Sequence, residues 1–227
     1  MNKLYKRALF LEYFTVGYNL LEAFVSILFG SMANSIALIG FGLDSIVESL
    51  SGMVLVWRLS KHGKISAEQE EKIEKRAQMF VSITFFVLAA YVLYESMGKL
   101  IGQEIPEPSL PGIIIAIVSV IVMPILMVQK YHLGRRINSK ALVADSKETM
   151  ACAFLSVALL IGLGSNYLFG FWQADPIVGL VIVIFLVREG IENTNEKQIK
   201  EVKQLFDEIN QKEEENIIIV DEPIIMN

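Results

Sequence analysis

Apolar residues along this chain gather in long blocks, not in the three- and four-residue steps of a half-buried helix or the alternation of a half-buried strand. Six blocks stand out, at roughly residues 9–30, 36–58, 77–101, 112–130, 140–164 and 172–192. A helix needs about 20 apolar residues to cross the hydrocarbon core, so the pattern predicts an all-α integral membrane protein with six transmembrane helices. Pro106, Pro108 and Pro111, with Gly102 and Gly112, mark the third-to-fourth connection as turn-rich. Pro124 lies inside the fourth block and predicts a kink, because its ring removes a helical hydrogen bond. After the sixth block the pattern changes. Ile199, Val202, Leu205, Phe206 and Ile209 recur at helical steps among charges and predict an amphipathic helix within 196–215; residues 217–220 read equally well as a short strand or as unstructured tail. The resulting division is a six-helix membrane domain over 1–192 and a short charged cytoplasmic tail over 193–227.

Charge fixes the orientation. Lys3, Lys6 and Arg7 precede the first block; Arg58, Lys61, Lys64, Lys72, Lys75 and Arg76 follow the second; Lys130, Arg135, Arg136 and Lys140 follow the fourth. The opposite connections, 30–35 and 166–175, carry no basic residue, and the remaining one has only Lys99 nearby. Basic residues concentrate on the cytoplasmic side, so both ends are expected in the cytoplasm of a multi-pass protein of the plasma or inner membrane. Aromatic residues agree, with Tyr167, Phe169, Phe171 and Trp172 at an outer connection and Trp57 at an inner end. Glu12, Asn19 and Glu22 interrupt the first block, which is also longer than a signal-peptide core, so it reads as a membrane helix.

Composition narrows the chemistry. Of 227 residues 53% are hydrophobic, and one cysteine, Cys152, excludes an intrachain disulfide framework and a Cys-only metal site. His62 and His132 both fall in hydrophilic connections, so no histidine ligand set is expected inside the membrane.

Ionisable groups inside a span cost about 2.5 kcal/mol or more each and point to function. Asp44 and Glu48 in the second block are four residues apart, which puts both carboxylates on one helix face. Two like charges there either share a proton, bind a cation or are satisfied by neighbouring helices. In the fifth block Asp145, Glu148 and Cys152 share a face, and Lys147 points elsewhere. The two segments repeat. Ser35, Ala37, Leu38, Asp44, Ser45 and Glu48 correspond to Ser139, Ala141, Leu142, Glu148, Thr149 and Cys152 at a constant offset of 104 residues. The repeat suggests one four-group site, Asp44, Glu48, Glu148 and Cys152, and four ligands suit a tetrahedral ion such as zinc. Asp145, Glu22 and Asn19 are accessory candidates. Glu95 and Lys99 read as an i, i+4 ion pair, Glu189 and Glu192 as solvated residues at the end of the sixth span, and residues 68–76 as a solvated loop helix.

The six-span layout and the motifs Asp44-Ser45-Ile46-Val47-Glu48 and Ala144-Asp145-Ser146-Lys147-Glu148-Thr149-Met150-Ala151-Cys152 resemble the cation diffusion facilitator (cation efflux) family over roughly residues 5–192. The resemblance implies a cation-efflux-like bundle that exports a divalent metal by exchange with protons, with Asp44, Glu48, Glu148 and Cys152 at the transport-site positions. This sequence lacks the histidines of the family's zinc-type site and carries a thiol for the last carboxylate. A thiolate favours zinc or cadmium over calcium or magnesium; iron(II) and manganese(II) are alternatives. The family's cytoplasmic domain does not fit after the sixth block, which reads as a truncated branch. The expected partners are membrane lipid, the metal ion as cargo, protons and a second copy in a homodimer, with no nucleic acid and no resident cofactor. The competing readings are a non-transporting membrane metal-binding or scaffold protein and an intramembrane metalloenzyme. The enzyme is disfavoured because no His-Glu-x-x-His pattern occurs.

Overall fold

Backbone polar groups in hydrocarbon must be satisfied within their own segment, so long apolar blocks become helices. The computed structural model describes residues 3–61 and 67–191. The blocks form α1 (Lys3–Ala33), α2 (Ile36–Lys61), α3 (Ala67–Gly102), α4 (Leu110–Arg136) and α5 (Lys140–Phe169), followed by α6 over 174–191. Each of the first five holds a stretch long and apolar enough to cross a membrane. The described part of α6 carries Asp175, Arg188 and Glu189, yet its Ile182 and Leu186 are fully buried in the bundle. Among the described residues there is no strand.

The helices extend past the apolar blocks. Residues 68–76 are the opening turns of α3 and not a separate loop helix, and α4 runs unbroken through Pro124 to Arg136, so His132 sits on a helix and not in a connection. Long charged side chains reach the interface from helix ends, so the backbone need not stop where the charges begin. His62, Glu192, the amphipathic segment 196–215 and residues 217–220 lie outside the described residues.

Packing places the site. α1 lies against α2 and α4, and α5 lies against α4 and α2, so these four surround a shared interior. α3 packs on α2. α6 is drawn in by small residues: a Cβ on Gly179 would meet Ser96 of α3 and Ile36 of α2, and one on Gly162 of α5 would meet Val178. Asp175 at the start of α6 accepts hydrogen bonds from the Ser35 hydroxyl and, at 2.9 Å, from the Ile36 N–H, so it caps α2 from another helix.

The 104-residue repeat extends into backbone geometry. Asn34 and Asn138 both adopt positive φ, 52° and 53°. Ser35 and Ser139 donate their N–H to the Gly30 and Gly134 carbonyls, each at 2.9 Å, the six-to-one bond of a Schellman turn. Their hydroxyls then accept from the Leu38 and Leu142 N–H groups at 3.1 and 3.3 Å. The copies are offset by three helices, an odd number, so they run in opposite senses through the membrane. One hairpin closes at the outer end and the other at the basic, inner end, an inverted repeat. Each turn needs its glycine, because a Cβ would stand 2.9 Å from Ile39 N at Gly30 and 3.0 Å from Val143 N at Gly134. Gly134→Ala is therefore expected to cost about 1–3 kcal/mol through overpacking. Thermal unfolding of detergent-purified protein measures this; an unshifted transition would show that the α4–α5 hairpin has room to spare.

Candidate cation site

The interior face of α1 is polar along its length. Glu12, Thr15, Asn19, Glu22 and Ser26 follow steps of three and four residues, one helical face, and none is more than 2% exposed. Opposite them α2 presents Asp44, Ser45 and Glu48, and α5 presents Asp145, Thr149 and Cys152, all buried. Glu148 is half-buried and Lys147 is exposed.

Glu48 joins α2 to α5. Its Oε1 accepts from the Thr149 hydroxyl at 3.0 Å, while its buried Oε2 has no hydrogen-bond partner. The Cys152 thiol faces the same carboxyl group. Asp44 is in electrostatic contact with Glu48, as the i, i+4 spacing predicts. Glu148 accepts from Ser51 of α2 at 3.0 Å and interacts with Glu48. All four positions therefore lie along the α2–α5 contact. Among the described residues, no three His, Cys, Asp or Glu side chains stand close enough to hold one ion in this arrangement.

Glu22 sits where the four helices meet. It accepts from Ser45 of α2 at 2.8 Å and from Ser119 of α4, and Cys152 Sγ of α5 lies 4.0 Å away. Ser119 is also bonded to Tyr18 OH at 2.8 Å. Asn19, one turn toward the inner end, is fully buried, with neither amide atom hydrogen-bonded. Of the two accessory candidates on α1, Glu22 thus borders the α2–α5 groups, and Asn19 lies on the same helix face.

The accessory candidate Asp145 is paired with a buried cation. Lys130, which its position beside Arg135 and Arg136 assigns to the basic connection, is fully buried. Its ammonium lies 2.5 Å from Asp145 Oδ2 and 3.6 Å from Glu12 Oε2, and donates to Thr149 Oγ1 at 3.1 Å. The reason is geometric: α4 continues as a helix, and position 130 shares its buried face with Ser119, Met123 and Leu126. An ammonium only donates, so Lys130 turns the Thr149 hydroxyl hydrogen away from itself, toward Glu48 Oε1 at 3.0 Å and the Asp145 carbonyl at 3.1 Å. Lys130 and Glu12 are the residues that reading along one helix does not assign to the site. The three-four spacing of polar residues on α1 is the signal for Glu12; Lys130 has none.

Two further readings change. Lys99 does not pair with Glu95. Its ammonium donates to both the carbonyl and the side-chain oxygen of Asn34, each at 2.5 Å, because the positive-φ turn at Asn34 presents both to α3. Glu189 is half-buried and within electrostatic reach of Asp44 and Glu148, because α6 packs beside α2 instead of ending free in solvent.

Residues 13–196 match the cation efflux transmembrane domain. The chain belongs to the cation efflux family. Its relatives include an uncharacterized transporter of Methanocaldococcus jannaschii, 25% identical over 174 residues, 75% of this chain and 61% of that protein. Transmembrane protein 163 of Xenopus laevis is 22% identical over 82% of this chain and 66% of its own length. The magnetosome protein MamB of a Magnetospira species is 27% identical over 72% of this chain and 57% of its own. The chain thus spans about three fifths to two thirds of these relatives, and the family match runs from within α1 through the described part of α6.

Proposed function

We propose that this cation efflux family member carries a divalent metal cation, zinc by the nature of its donors, out of the cytoplasm in exchange for protons. The site is formed by Asp44, Glu48, Glu148 and Cys152 between α2 and α5. The observation that carries this reading is the Glu48 carboxyl group, anchored to α5 through Thr149 on one oxygen and without a partner on the other. A buried oxygen of this kind costs free energy unless a cation or a proton takes it up.

Three carboxylates and one thiolate are a donor set for a four-coordinate borderline ion, and the sulfur disfavours calcium and magnesium. Binding draws the four donors together from the positions described above and requires each of them deprotonated, so metal uptake displaces protons and protonation releases metal. Asn19 and Glu22 line the approach from α1, and the inverted hairpins supply two related halves whose rocking would expose the site to either face. Two copies are proposed to work as a dimer through their membrane helices.

Zinc uptake into vesicles reconstituted with the protein tests the reading. An opposing proton gradient should drive uptake, its collapse should slow it, and Asp44→Ala should abolish it. Metal binding without gradient-dependent flux would favour a non-transporting binding protein, and full flux in Asp44→Ala would move the site elsewhere.

A further inference from the structure

The basic end of the bundle has a second feature, on the outside of the four-helix group. α1 and α4 enclose a cleft of about 1020 Å³ that includes no residue of α2 or α5. Its walls are apolar: Phe10, Phe14 and Ile125 line it and are 73%, 51% and 53% exposed. Its mouth is cationic, with Lys6 and Arg7 from the start of α1 and Arg136 from the end of α4, and the His132 ring lies beside them. No acidic residue lines it. Glu12, the nearest acid on α1, is turned to the opposite face of the helix, toward Lys130. Among the described residues no carboxylate pairs with Lys6, Arg7 or Arg136.

We propose that this cleft binds an anionic phospholipid of the cytoplasmic leaflet, with its phosphate at Lys6, Arg7 and Arg136 and its acyl chains along Phe10, Phe14 and Ile125. From Arg7 to Phe14 is about 10 Å of helix, so the charged mouth sits at headgroup depth and the aromatic wall at acyl depth. Scattered basic residues would satisfy the orientation rule without a cleft. Here cations from two helices, with no carboxylate partner among the described residues, converge above an apolar wall, which fits one amphiphile with a negative head. A zwitterionic lipid would fill the same volume but leave that positive charge unmatched.

Phosphatidylglycerol and phosphatidylcholine, added to the full-length protein in neutral detergent and followed by native mass spectrometry, are the probes. Phosphatidylglycerol should bind at least tenfold more tightly. Arg7→Gln/Arg136→Gln should weaken it by on the order of tenfold, while Lys3→Gln/Arg135→Gln, which removes the same charge from the same helices outside the cleft, should leave it within about twofold. Equal binding of the two lipids, or equal losses in the two double variants, would overturn the proposal in favour of general surface charge. Displacement of phosphatidylglycerol by millimolar inorganic phosphate would mean a phosphate site. Disulfide cross-linking of two copies through Phe10→Cys in vesicles would mean a subunit interface. Zinc flux does not enter any of these outcomes, so the proposal stands or falls apart from the transport reading.

Discussion

Glu48→Gln should reduce divalent-cation flux by about a hundredfold or more while leaving the protein folded. Loss of a group that merely orients a metal ligand costs about 10–100-fold, and a direct carboxylate donor should cost no less. The substitution isolates the charge. The glutamine side chain retains an oxygen to accept from Thr149, so the α2–α5 link at 3.0 Å survives, and its NH2 replaces only the unpartnered Oε2. A side-chain amide cannot be ionised and is a weak ligand for a borderline divalent ion. Proteoliposome flux, normalised to inserted protein, measures the effect. Wild-type flux in this variant would show that the ion passes without Glu48.

Lys130→Met should be the most destabilising change in the interior, at about 3–5 kcal/mol. It leaves Glu12 and Asp145 buried with no cation between them, and each already has an oxygen without a hydrogen bond. Against a total stability of about 5–15 kcal/mol, that loss should appear as poor membrane yield and a much lower unfolding temperature in detergent. The triple variant Glu12→Gln/Lys130→Met/Asp145→Asn removes both charges along with their counter-charge and should recover most of the loss, because a buried ion pair replaced as a unit is often near neutral. A single Lys130→Met as stable as wild type would show that water, and not Lys130, solvates the two carboxylates.

These two residues also show how far the sequence can be read. Glu48 is legible because it stands four residues from Asp44 within an apolar block, and the pair recurs 104 positions later as Glu148 and Cys152, a pattern with few explanations. The six helices are legible because a membrane span needs only sustained apolarity, which does not depend on what packs against it. Lys130 is not legible. Its neighbours in sequence are basic, and its partners lie on two other helices, 118 residues before it at Glu12 and 15 after it at Asp145. Lys99 misleads for a related reason: the i, i+4 spacing offers Glu95, but the αL turn at Asn34 offers two oxygens at once. Glu189 reads as solvated because the sequence does not state that α6 lies against α2. In each case helix periodicity indicates the face, and only the crossing of helices supplies the partner.

In the proposed site one divalent ion sits between α2 and α5, and Cys152, the only thiol in the chain, gives a direct report on it. Cadmium titrated into the purified full-length protein should develop a sulfur-to-metal charge-transfer absorption that saturates at one ion per chain. The band should be absent in Cys152→Ser, and in Glu48→Gln it should require at least about tenfold more cadmium, since the second residue acts from the opposite helix. No band in the wild-type protein, or an identical titration in Glu48→Gln, would contradict a shared α2–α5 site.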